Sequence, residues 1–171
     1  MDASNEEEAN AWTLKHRLEL IKVSFVIFLI QHFLIFLFNQ NLNQHIMKIA
    51  TIIIRVLLGA MYLFASVSYF MKYMPEQPQM SAAQSTFMAG VMASVYLMPL
   101  IKVTELVCGI LLLAGRTAPL AALIIFPVTL NIFLYHLYLG PKELPMVAVM
   151  LLFNLFLFYA YRQKYLPILS K

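Results

Sequence analysis

Four apolar runs of membrane-spanning length dominate residues 46–161, and they constrain this chain more than any other feature. They cover about residues 46–71, 99–115, 118–139 and 144–161. An α-helix rises about 1.5 Å per residue, so roughly 20 apolar residues cross a hydrocarbon core about 30 Å thick. Hydrophobic residues make up 62% of the 171, against roughly 45–50% in an ordinary soluble domain. Charged residues are only 12%, too few to cover a globular surface. A small subunit buried in a soluble complex is the alternative, and the length of the runs argues against it. The expected fold is all-α, a membrane-spanning four-helix bundle.

The intervening segments divide the chain. PEQPQ, Pro75 to Gln79, reads as a loop. Ser81-Ala-Ala-Gln84 has the form of a capping box, which predicts a short helix over about 82–97, lying on the membrane surface or dipping into the bundle. Turns are expected at Gly115-Arg116 and Gly140-Pro141-Lys142, and Pro127 is expected to kink the third span. YRQKY at the end of the last span forms an aromatic and basic belt.

Residues 1–45 are read as a separate N-terminal extension, and 46–171 as the transmembrane domain. Residues 1–11 are acidic, and a hydrophobic helix follows from near Thr13, almost wholly apolar over Val23 to Phe38. Those sixteen residues extend only about 24 Å, so the helix either spans with borrowed charged residues or lies in the interface. A cleaved leader is disfavoured by the acidic head and the missing small-residue cleavage site.

Basic residues set the orientation. With four alternating spans, Lys48, Arg116, Arg162, Lys164 and Lys171 fall on one side, facing Lys72 and Lys142 on the other, with Lys102 near that edge. The carboxyl terminus is therefore expected to be cytoplasmic. This distribution also accounts for the net charge of +4 without a nucleic-acid partner, since no basic helix interleaved with aromatic residues occurs.

Within the apolar runs a few polar residues stand out, because ionised groups at membrane depth are costly and normally face a protein interior. Lys102 and Glu105 are three apart on one helix face, continued by Cys108 and Gly109. Height estimated from helical rise puts Arg55 and Asn154 about 10–12 Å above the basic end, Glu105 about 16 Å, and Lys102 and Asn131 about 21–22 Å. The expectation is one intramembrane polar layer of Arg55, Glu105, Lys102, Asn131 and Asn154, with Arg55 reaching Glu105 near midplane. His136 falls about 30 Å up, at the outer interface. A purely structural role, fixing helix register, competes with a functional one for each of these residues.

The remaining chemistry is narrow. One cysteine, Cys108, rules out an internal disulfide, a C-x-x-C redox pair and a cysteine zinc cluster. No metal site, paired haem histidines, P-loop, dinucleotide fingerprint or nucleophile elbow is present. No residue is assigned a catalytic role, and an autonomous enzyme is not expected.

From Met47 onward the chain resembles the DoxX family of small bacterial membrane proteins. The resemblance rests on R-V-L-L-G at Arg55–Gly59, P-x5-E-x3-G-x2-L-x2-G from Pro99 to Gly115, and N-x4-H at Asn131–His136. Met47-Lys48 is similar to the usual start of such proteins. Family members often carry glycine where this chain has Ser66 and Ser68, so close helix approach is not expected there. The resemblance implies a multi-pass protein of the bacterial inner membrane, an accessory subunit in quinone-linked or sulfur-compound oxidation beside other membrane proteins, with quinone as the one cofactor to be considered. The alternative it leaves is a non-enzymatic bundle that assists assembly of another membrane protein or binds lipid. A proton-coupled carrier is weaker, because no inverted repeat is apparent.

Overall fold

The computed structural model describes nine positions between Arg17 and Ile35, then residues 44–73 and 80–169. The chain divides into two compact units, 1–40 and 41–171. In the first, the described positions are helical, and the His32 ring bonds its own helix through Nδ1 to the Phe28 carbonyl at 3.1 Å. The expectations for the acidic head and for how the first hydrophobic helix meets the bilayer lie outside the described residues.

The second unit is all-α among its described residues. α1 is Gln44–Phe70, α2 Ala82–Ala93, α3 Leu97–Ala114, α4 Ala118–Tyr138, α5 Leu144–Ala160 and α6 Arg162–Leu169, with a short 3-10 turn at Pro141–Glu143. By length and composition α1, α3 and α4 can each cross a membrane, and α5 is a shorter apolar helix of 17 residues, about 26 Å long. The four form a ring in which α1 packs on α3, α3 on α4, α4 on α5 and α5 on α1. Their outward faces are apolar, with Ile49, Ile53 and Phe64 of α1, Val107 of α3 and Leu123 of α4 all exposed. An apolar exterior around a partly polar interior suits lipid, which lacks the driving force that buries such side chains in water.

Without that force, close packing decides which helices associate. α1 and α3 meet at Gly59 and Gly109. A Cβ on Gly109 would lie 3.0 Å from the Gly59 carbonyl oxygen and 3.1 Å from the Leu63 nitrogen, so the two backbones touch directly. Ser66 is buried, and its hydroxyl folds back on the Tyr62 and Leu63 carbonyls at 2.8 and 3.0 Å. Close approach is thus achieved at Gly59, two turns before Ser66.

The helix ends follow local chemistry. Ser81 and Gln84 form the expected capping box in both directions, at 3.3 Å from the Gln84 amide to the serine hydroxyl and 2.8 Å from the Ser81 amide to the glutamine carbonyl. α2 stops at Ala93, short of the expected 97, because Ser94 caps the turn and Val95 takes a left-handed φ of 61°. Gly115 ends α3 with φ 82°, its amide donating to the Leu111 carbonyl at 3.1 Å. Only glycine adopts that conformation without strain. α6, not expected from the sequence, folds under the bundle, where the Tyr165 hydroxyl donates to the Pro119 carbonyl at 2.8 Å.

Candidate functional site

The buried stripe of α3 runs Glu105, Cys108, Gly109, Leu112, and that of α1 runs Leu58, Gly59, Tyr62, Ser66. The two stripes face each other, which places a carboxylate inside the bundle. Glu105 is 2% exposed, and Lys102 Nζ donates to its Oε2 at 2.7 Å while remaining 19% exposed itself. The pair joins residues three apart on one helix, one turn from each other.

Across the bundle, Tyr62 of α1 meets Thr129 of α4, Oη to Oγ1, at 2.6 Å. Thr129 donates its only hydroxyl hydrogen to the Ile125 carbonyl at 3.0 Å, so Tyr62 must be the donor between the two hydroxyls. The Tyr62 hydroxyl also lies within electrostatic range of Glu105 and Cys108 on the facing stripe of α3. Lys102, Glu105, Cys108, Tyr62 and Thr129 therefore form one polar centre drawn from α1, α3 and α4. The residue pair from α1 and α4 sits on the diagonal of the ring, which ties opposite helices together.

At the end where α1 finishes, a cleft of about 590 Å³ is lined by Tyr69, Phe70, Lys72 and Pro99. Pro99 lies three residues before Lys102 on α3, so the cleft and the ion pair share one helix face. The cleft is more an open groove than an enclosed cavity.

The expected contact between Arg55 and Glu105 is not made. The guanidinium of Arg55 lies over Gly115, where a Cβ would overlap it, and against the Tyr161 hydroxyl. Helix side chains lean toward their own N-terminus. Arg55 thus leans toward the start of α1, and Glu105 toward the start of the antiparallel α3, so the two diverge. Heights counted at the α-carbon miss this divergence. For the same reason Glu105 leans back onto Lys102, which is paired here and does not merely extend to the outer surface.

Asn131 is exposed on the outer face of α4. It stands two residues, about 200° of rotation, from Thr129 on the buried stripe. Asn154 is fully buried on α5, its Nδ2 3.4 Å from the Ala122 carbonyl and its Oδ1 without a partner. It is a link between α4 and α5, separate from the Glu105 centre. His136 lies in the last turn of α4, with Nδ1 donating to the Gly140 carbonyl at 3.1 Å and 3.5 Å from Glu143 Oε2. Among the described residues no group of three potential metal ligands comes together.

The family model DoxX matches residues 50–137, about half of the chain. The chain belongs to the DoxX family. No curated protein and no solved structure matches it. In this DoxX protein the matched segment runs from α1 to the end of α4, so it contains Arg55 and every member of the Lys102–Glu105 centre. It stops before α5, which leaves Asn154 and Tyr161 outside the matched part.

Proposed function

We propose that this membrane protein is an accessory subunit in quinone-linked redox metabolism of the bacterial cytoplasmic membrane, acting beside partner proteins. The observation that carries the reading is a carboxylate held inside the bundle by a lysine one turn from an aromatic-lined cleft. A quinone presents an apolar ring and tail with carbonyl oxygens that accept hydrogen bonds. Tyr69 and Phe70 would flank such a ring, Lys102 would donate to a carbonyl oxygen, and Glu105 would hold or move a proton. Quinone reduction consumes two electrons and two protons. With a single cysteine and no dithiol, this chain would bind and protonate while a partner delivers the electrons.

The same reading places the carboxyl terminus in the cytoplasm. Arg116, Arg162 and Lys164 follow the ends of α3 and α5, whereas Lys72 and Lys142 lie at the opposite ends of the helices. Positive residues in short loops favour the cytoplasmic side.

Gentle purification of the full-length protein, with mass-spectrometric identification of bound quinones and subunits, tests the proposal. Wild type is expected to carry a quinone or a dehydrogenase-type partner, and Glu105→Gln to lose it while remaining folded. Retention of neither by wild type, with lipid or an unassembled membrane protein bound instead, would favour a non-enzymatic assembly or lipid-binding role.

A further inference from the structure

The opposite end of the bundle holds a second group of charges, unconnected with the Lys102–Glu105 centre. Arg55 reaches there from α1 and touches Gly115 and Tyr161. Arg116 directly follows Gly115, with α-carbons one peptide or about 3.8 Å apart. On the other side, the Lys164 ammonium sits 5.6 Å from the centre of the Tyr161 ring. Tyr161 therefore stands between two cations. Arg162 is turned away, onto the Tyr159 ring at 4.3 Å.

No described carboxylate answers this charge. Glu105 lies ten residues along α3 from Gly115, about 15 Å away, and is engaged with Lys102. Glu143 immediately precedes α5, at the other end. The Arg55 Nε is buried and has no hydrogen-bond partner. A guanidinium presents donors in a fork that matches two oxygens of a phosphate or carboxylate, and such a fork is seldom left unused. Val56 and Leu57, next to Arg55 on α1, are exposed and apolar, a surface suited to acyl chains.

We propose that this corner binds the phosphate of an anionic phospholipid, with Arg55 as anchor and Arg116 and Lys164 as outer cations. Phosphate oxygens would accept from the terminal amino groups of Arg55, beside the Tyr161 hydroxyl, and Gly115 leaves space for the guanidinium where any side chain would collide. The position at the ends of apolar, spanning-length helices selects a lipid over a soluble anion.

Native mass spectrometry of the full-length protein in mild detergent, titrated with phosphatidylglycerol, phosphatidylcholine and inorganic phosphate, tests this. Wild type retains phosphatidylglycerol over phosphatidylcholine. Arg55→Gln weakens that retention about tenfold, Arg55→Lys by less, and Arg116→Gln or Lys164→Gln about fivefold each. Equal retention of the two lipids would overturn the proposal, as would unchanged retention in folded Arg55→Gln. Displacement by millimolar inorganic phosphate would overturn the lipid assignment in favour of a soluble anion. Where Arg55→Gln does not fold, the exposed pair Arg116→Gln/Lys164→Gln decides, and unchanged retention in it rejects the site.

Discussion

Removing Lys102 should damage the protein more than removing Glu105, and the asymmetry follows from where each side chain sits. At 2.7 Å and an effective dielectric constant of about 20, two unit charges attract by roughly 6 kcal/mol before desolvation is subtracted. Lys102→Met leaves the carboxylate, 2% exposed, with no cation. Stranding one member of a buried pair typically costs about 3–5 kcal/mol. In Glu105→Gln the lysine keeps an amide oxygen as acceptor, and being 19% exposed it can also turn its ammonium toward the polar end. That variant should lose only about 1–2 kcal/mol, the difference between a charged and a neutral hydrogen bond. The double variant Lys102→Met/Glu105→Gln should be more stable than Lys102→Met alone. Unfolding of the four proteins in one detergent, followed by helical circular dichroism, reads all of these values. Equal losses in the two single variants, or a double variant as damaged as the sum, would refute the reasoning.

Other expectations are direct. Gly109→Ala, whose Cβ would press on the backbone of α1, should lose about 1–3 kcal/mol through overpacking; Gly90→Ala, with open space around it, should gain up to about 1 kcal/mol of helix propensity. Opposite signs in the same unfolding assay are the check. Tyr62→Phe should lose about 1 kcal/mol with the hydrogen bond to Thr129, whereas Asn131→Leu, on an exposed face, should lose nothing. At the foot of the bundle, burial and then the neighbouring Tyr161 push the Tyr165 hydroxyl from its ordinary 10.0 up to about 12. The folded protein therefore holds this proton longer than the unfolded chain. Melting temperature should be insensitive to Tyr165 below about pH 10 and fall as pH rises toward 12; in Tyr165→Phe that part of the alkaline decline should vanish.

The helices were legible in the sequence because apolar length alone specifies them. Predicted limits of 46–71, 118–139 and 144–161 stand beside Gln44–Phe70, Ala118–Tyr138 and Leu144–Ala160. The start of α2 was legible too, since the capping box at Ser81 and Gln84 is local chemistry. α6 was not, because eight residues of mixed character that include Pro167 become helical beside a tertiary contact, Tyr165 to Pro119. Glu105 was singled out correctly as a buried group, yet its partner depended on the lean of side chains along antiparallel helices, which α-carbon heights omit. Tyr62 and Thr129 escaped notice because hydroxyl residues are ordinary in apolar helices and carry no charge to flag them. Their one visible signal was position. Tyr62 is four residues before Ser66 and three after Gly59, on the stripe that the small residues mark as the packed face.

The central claim is that Lys102 and Glu105 form a ligand-binding polar centre and do more than hold two helix turns together. Equilibrium titration of the detergent-solubilised protein with a short-chain, water-soluble quinone measures it most directly, with wild type beside folded Glu105→Gln and Asn131→Leu. Saturable binding by wild type and Asn131→Leu, weakened about tenfold or more in Glu105→Gln, about 1.4 kcal/mol, is the predicted result. Identical isotherms for all three proteins, or no saturable binding by any of them, would contradict the account.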